Sequence, residues 1–401
     1  MRRALKNRPF RALAGAYTSN ELGDWLATIA LAVLVYDHTG DALATTALFL
    51  STKFLPSLLV PALTARVERF PVGRTLGALY VAEALGFAAL ALSATTFSLV
   101  VVCLLAFANG TFAVTGRAVT RAATVALLKP ARLLREGNAA LNVGFSSMNI
   151  AGPAAAGVIV AAGGPSLSLA LAGALFLGLA ALLLVTPGLP SGTSDEAPWR
   201  SRLRDGAAYV WTHPVARPLI ATQAGLLVLF TIVIPIEVVY AKETLDAGDG
   251  GFAALVTAWG AGLVVGSIVF ARLAEHSLAI VAGLSTLAIG AAYLGMSAAP
   301  GLTLACAAAV VGGTGNGVQW VAVVTVLQEA VDATMQTRVA GFFEAIATAM
   351  PGLGFIIGGT LTAAVSPRAA FAASGAGVVI VVAVGTLAWR ARNRSLVARR
   401  A

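Results

Sequence analysis

The chain has 401 residues, 58% hydrophobic and 11% charged, with a mean hydropathy of +0.86. Soluble chains carry about 25% charged residues, so a water-facing globular protein is excluded and the class is an all-α integral membrane protein. The net charge of +9 would suit a nucleic-acid partner only as a basic patch. Here the cations are spread over short loops between apolar runs, where they set topology, and no nucleic acid is expected.

In chain order, a basic N-terminus (Arg2, Arg3, Lys6, Arg8, Arg11) leads into a first apolar run over roughly 10–36. About 20 helical residues cross a bilayer, and the centre of this run is too polar for a cleaved signal peptide. Asp24 falls near its middle and Glu21 one turn earlier on the same side. Further runs follow at roughly 42–65, 72–95, 97–121, 138–162, 165–188, 216–241, 251–273, 277–298, 302–327, 338–364 and 369–390. Twelve transmembrane helices are therefore expected. Their many alanines and glycines suit close helix packing in lipid, and Cys103 and Cys306, inside apolar runs, read as small buried hydrophobes.

Every Lys and Arg lies in the N-terminus, the even-numbered loops with their adjoining span ends, or the C-terminus, except Lys242, Arg368 and, within a span, Lys53. Positive residues favour the cytoplasm, so both termini are expected there, in the cell membrane. The polar connection 189–215 divides an N-terminal six-helix half (1–188) from a C-terminal half (216–401) with a basic tail. Its Trp199 to Trp211 stretch reads as a surface helix at the interface. Ala65-Arg66-Val67-Glu68-Arg69 and Ala271-Arg272-Leu273-Ala274-Glu275 match between the halves, as do Arg135 to Gly157 and Arg338 to Gly359. Two related halves with a site between them near the midplane are a transporter architecture.

Asp24, Lys53 and Glu83 lie near the middles of runs one, two and three. Each charge alone costs several kcal/mol in a bilayer, so a cluster is expected, with Lys53 bridging the two acids. A carboxylate there can take up and release a proton as its surroundings change, or the trio can simply hold three helices in register. Arg117 and Arg121 end run four and read as side chains reaching the interface or a lipid phosphate, with a place in the cavity as the alternative. Glu237 follows Pro235 near the end of run seven; Thr222-Gln223 open that run, and Asn316 and Gln319-Trp320 occupy the middle of run ten. Amides and aromatics suit an amphipathic organic ligand, and interhelical hydrogen bonding equally.

Several stretches resemble the major facilitator superfamily, within it the drug–proton antiporter branch that includes macrolide and siderophore exporters. Ser19-Asn20-Glu21-Leu22-Gly23-Asp24 resembles that branch's first-helix Ser-x-x-Gly-Asp pattern. Lys53-Phe54-Leu55-Pro56 resembles the basic residue ahead of a proline in the second helix, with lysine where arginine is more usual; Ala82-Glu83 stands for Ala-Asp in the third. Thr64 to Arg69 followed by Gly73-Arg74 is a degenerate form of the superfamily's loop-2 gate, with Glu68 for its aspartate. Gly152-Pro153 with Gly157 resembles the exporters' Gly-Pro-x-x-x-Gly element, and Ala106 stands where some proton-coupled members have an arginine.

The resemblance implies the major facilitator fold, two pseudo-symmetric six-helix halves, and export of hydrophobic or amphipathic small molecules by proton antiport with alternating access. A dedicated metabolite or siderophore exporter is the alternative. It implies proton coupling at Asp24, Lys53 and Glu83, and gating at Glu68, Arg69, Arg74, Gly152, Pro153 and Gly157. It implies a substrate cavity at Asn20, Glu21, Thr222, Gln223, Glu237, Asn316, Gln319 and Trp320. A monomer with small-molecule, proton and lipid partners is expected, and no cofactor: there is no phosphate loop, and His38, His213 and His276 are scattered. A membrane enzyme would need a polar catalytic cluster that the sequence lacks, and a channel or scramblase would not depend on a proton gradient. The Gly312 to Gly317 run is expected to serve packing or local flexibility.

Overall fold

A computed structural model describes residues 2–67, 69–94, 96–191, 199–273, 276–332 and 335–398. The long helices are α1 (Arg8–Thr39), α2 (Ala42–Phe49), α3 (Leu55–Val67), α4 (Val72–Ser93), α5 (Leu99–Leu128), α6 (Leu134–Leu184), α7 (Trp199–Thr212), α8 (Ala216–Thr231), the short α9 (Glu237–Val239), α10 (Gly248–Leu273), α11 (Leu278–Ala298), α12 (Leu302–Ala330), α13 (Gln336–Ala364) and α14 (Pro367–Ala398). Among the described residues, ten segments are long and apolar enough to cross a membrane. One of them, Glu136–Leu184, turns at Gly164, whose φ of 75° favours glycine, and so holds two of the expected runs. With α1, which is 32 residues long and carries Asn20, Glu21 and Asp24, the twelve expected spans are accounted for. Large apolar side chains face outward, Leu92 (73% exposed) and Val158 (70%) among them, as helices solvated by lipid require. Both cysteines are free.

The chain forms two compact units: Met1–Trp199 with Ala241–Thr257, and Arg200–Tyr240 with Ala258–Ala401. In the first, α6 packs along α1 and α4, and α5 along α3 and α4. Phe10, Thr18 and Trp25 of α1 meet Gly137, Gly144 and Gly152 of α6 in turn, a spacing of about two helical turns on each helix. Gly152 thus receives the Trp25 ring, and Gly157 abuts Ala253. Pro153 lies inside α6 without non-helical backbone; the break comes only at Gly164.

Two spans are interrupted at prolines. A π-helical turn, Leu50–Phe54, joins α2 to α3 just before Pro56. Proline supplies no N–H to the carbonyl four residues back, and at that carbonyl, on Thr52, α5 approaches so closely that only glycine, Gly110, fits. In the second unit α8 ends at Thr231, ahead of Pro235. The carbonyls freed there are taken by side chains: Ser374 Oγ donates to Leu229 O at 2.6 Å and Tyr293 Oη to Phe230 O at 3.0 Å.

In the second unit α11 packs on α12 and α14, and α8 on α13. The Gly312 to Gly317 run lies within α12 and is a packing surface: Gly313 and Gly317 face the Trp259 and Leu263 carbonyls of α10, and Gly315 faces Ser285 O of α11. The two odd-loop cations are both engaged. Arg368 donates to Ser297 O and Ala299 O, each at 2.8 Å, closing the end of α11. In the first unit Lys242 pairs with Asp37 and, at 2.5 Å, with Asp249, while Tyr36 Oη donates to Glu243.

Candidate functional site

The charged centre of the first unit differs from the expected arrangement. Arg117 Nη1 bonds Asp24 Oδ2 at 2.6 Å and Glu21 Oε1 at 3.3 Å, so one guanidinium holds both α1 acids, which sit one turn apart. All three side chains are three-quarters buried or more. Lys53 makes no ion pair with any described residue; it is exposed and lines the same cavity as Asp24 and Arg117. Thr28, Thr52, Phe87, Asn109 and Gly110 also line that cavity.

Arg117 therefore corrects two expectations, the Lys53 bridge and the interfacial arginine. The apolar run ends near 121, which puts Arg117 at a span end. The helix instead continues to Leu128, and Val119, Thr120, Ala123 and Thr124 are buried beyond the arginine. The signal was present in the sequence: Arg117, Thr120 and Thr124 recur at i, i+3 and i+7 on one side of the helix, and the two threonines are buried, Thr124 Oγ1 donating to the Thr120 carbonyl. Lys53 is placed otherwise because it sits in the π-helical turn, where an extra residue per turn shifts side-chain direction relative to a regular helix.

Glu83 is wholly buried, and neither carboxyl oxygen has a hydrogen-bond partner. Asn109 Nδ2 reaches only the Glu83 backbone carbonyl, at 3.4 Å. An ionised carboxylate without donor or counter-ion costs several kcal/mol in such a place. Asn20 is likewise buried with both side-chain atoms unpartnered and lies outside the cavity lining. Glu68 lies outside the described residues; Arg69 and Arg74 are exposed.

In the second unit the expected cavity residues separate. Gln319 Nε2 donates to Gln223 Oε1 at 2.6 Å, both residues at most 2% exposed, and Gln223 Nε2 and Gln319 Oε1 stay unpaired. Thr222 points to the exposed side of α8. Trp320 is absorbed in packing against Phe343, ring centroids 5.6 Å apart. Asn316 is half-buried within the glycine run. Glu237, half-buried just after the break at Pro235, has no hydrogen bond or ion pair with a described residue. It is within electrostatic range of Tyr293, whose ring stacks on Trp259 at 5.2 Å. Among the described residues no cluster fit to hold a metal occurs.

The sequence profile of the Major Facilitator Superfamily matches residues 219–400. Among solved structures, the nucleoside transporter NupG superposes with a TM-score of 0.77 at 12% identity, over 94% of this chain and 98% of that one. A bacterial homolog of the human lysosomal transporter Spinster, inward-facing and occupied, gives 0.75 at 15% over 95% and 96%. A bacterial homologue of the iron transporter ferroportin, inward-facing, gives 0.73 at 15% over 94% and 97%. No curated protein sequence matches the chain. At these identities the structural likeness is one of fold: the chain is an all-α, multi-pass membrane protein with the major facilitator fold, and its second half carries that superfamily's sequence pattern.

Proposed function

We propose that this chain is a secondary transporter that exports hydrophobic or amphipathic small molecules in exchange for protons. The observation that carries the reading is the buried Arg117–Asp24–Glu21 cluster on the wall of a cavity inside the spanning region. Ion pairs at that depth are costly, and a lipid-embedded bundle has cheaper ways to hold helices together. A pair that opens to a cavity can change partners. A proton on Asp24 removes half of the negative charge that holds Arg117 and leaves the guanidinium on Glu21. Lys53, across the same cavity, keeps positive charge near the site while Arg117 moves. Glu83, buried without a partner beside this network, is the second candidate to carry a proton.

Alternating access follows from the fold class. Export, residence in the cell membrane with both termini cytoplasmic, and gating by Glu68, Arg69 and Arg74 rest on the sequence pattern. Glu237 beside the Trp259–Tyr293 stack suits substrates that combine an aromatic body with a cationic group, and the unpaired amide atoms of Gln223 and Gln319 suit a ligand amide.

The test is transport by purified protein in vesicles against drugs, dyes, siderophores and nucleosides, with and without an imposed proton gradient. Wild-type protein should accumulate several of the drugs or dyes only when the gradient is present. Uptake of one compound class alone would favour the dedicated exporter. If Asp24→Asn and Lys53→Ala proteins both transport with unaltered pH dependence, the charged cluster is structural and the coupling proposal fails.

A further inference from the structure

Helix α7 has two faces with different tasks. Its inner face is fastened to the ends of α12 and α13. Val210 is 4% exposed and packs with Ile220, Leu327 and Phe343. Gly206 lies against the Arg338 carbonyl and Phe342, and Asp205 pairs with Arg338 at 3.6 Å. Tyr209 Oη donates to Asp332 Oδ2 at 3.0 Å and accepts from the Asp332 N–H at 3.3 Å. The outer face carries Arg204, Ala208 and Trp211, all exposed and spaced so as to lie on one side of a helix.

Trp211 is 69% exposed, and the guanidinium of Arg217 lies 4.6 Å from the centroid of its ring. Arg217 is itself exposed. Neither Arg204 nor Arg217 has an acidic partner among the described residues, and the one acid of the helix, Asp205, is turned inward onto Arg338. Because α7 connects two spanning helices, topology places it at a bilayer face. A tryptophan there seeks the headgroup level. A guanidinium stacked on it still presents N–H groups in the fork that matches a phosphate.

We propose that the outer face of α7, completed by Arg217 at the start of α8, is a binding surface for anionic phospholipid headgroups, with Trp211 as the interfacial anchor and Arg204 and Arg217 as the phosphate ligands. The argument for lipid over another occupant is charge and place: two unpaired arginines flank an exposed indole on a helix that the fold holds at the membrane surface. Each arginine near an anionic leaflet adds attraction that salt screens. Since the inner face is joined to α12 and α13, lipid charge would be felt at the ends of both helices. The proposal needs only the membrane reading of the chain and stands whether or not the coupling proposal does.

The test uses the full chain in vesicles of mixed phosphatidylcholine and phosphatidylglycerol, with bromine on the tails of one lipid at a time. The chain has six tryptophans, so the Trp211 signal is taken as the difference between wild type and Trp211→Phe. That signal should be quenched about twofold or more better by brominated phosphatidylglycerol than by brominated phosphatidylcholine, as attraction at two arginines predicts. Arg204→Gln with Arg217→Gln should abolish the preference while quenching itself persists, which also reports that the helix is still in place. Equal quenching by the two lipids in wild type, or an unchanged preference in the double variant, overturns the proposal. So does loss of the preference on adding millimolar inorganic phosphate at constant ionic strength, since the site would then be one for soluble anions.

Discussion

The two units place polar side chains inside spanning helices in different ways. The first unit uses charge: Arg117 bonds Asp24 and Glu21, Lys53 lines the adjoining cavity, and Glu83 is buried alone. The second unit uses a neutral amide pair, Gln223 and Gln319, and an acid, Glu237, with no hydrogen bond or ion pair to a described residue. A charged group changes state when it gains a proton; an amide does not. Under the proposed function, the first unit's cluster handles the proton, and the amide pair of the second offers fixed polar contacts. The comparison also separates two kinds of dependence. Removing one member of an ion cluster leaves charge exposed to hydrocarbon, whereas removing both members of an amide pair leaves nothing unsatisfied.

The largest effect is expected for Arg117→Ala, which strands two acids one turn apart. Loss of a buried pair costs about 3–5 kcal/mol, so the variant should melt well below wild type in a detergent thermal-shift assay and lose gradient-driven transport. Adding Glu21→Gln and Asp24→Asn should restore most of the melting temperature but not the transport. Equal stability of Arg117→Ala and wild type would mean the cluster holds nothing together.

Gln223→Leu should lower stability by about 1–3 kcal/mol, because the Gln319 amide loses its partner while buried. The Gln223→Leu, Gln319→Leu double variant should recover most of that loss, as the charge cluster would not if only one sign were removed. A double variant less stable than either single one would contradict the neutral-pair account.

Helix crossing in the second unit gives a third comparison. Gly313→Ala drives a methyl into the Trp259 carbonyl, and overpacking of this kind costs about 1–3 kcal/mol. Gly283→Ala, where nothing lies within 4 Å, should be neutral or stabilising by up to about 1 kcal/mol. Thermal melts of the pair read the difference directly.

The smallest stability effect is expected for Glu237→Gln, because no described residue bonds the carboxylate. The same change should weaken binding of tetraphenylphosphonium more than that of tetraphenylborate, its anionic counterpart of like shape. Parallel titrations of purified protein check this, and equal changes for the two ions would remove Glu237 from substrate recognition.

Much of the fold was legible from residues alone. The absence of charge over runs of about 20 residues, and its return between them, leaves only spanning helices as a way to satisfy the backbone. The interruptions at Pro56 and Pro235 were not legible, since proline alone does not mark a break: Pro153 lies inside α6 with helical backbone. The candidate site was legible in part. Asp24 and Glu83 stood out because acids in apolar runs are rare, and both belong to the charged centre of the first unit. Arg117 was missed because hydropathy measures where a run stops, not where the helix does, and α5 continues to Leu128, about seven residues beyond. Trp320 looked like a cavity aromatic and is packed against Phe343, because an aromatic in a helix reads the same facing a ligand or a neighbour.

The sequence by itself determined the class of the molecule, the number of its spans and the presence of costly charges within them. Those properties depend on the free energy of single side chains in hydrocarbon, which composition along the chain reports. Only the tertiary structure decided which cation answers Asp24, which amides meet, and which glycines carry contact. These depend on the rotation of each helix about its axis and on local breaks such as the turn at Lys53, where one extra residue redirects a side chain. Pairing is a property of facing surfaces, and facing surfaces exist only once the helices have packed.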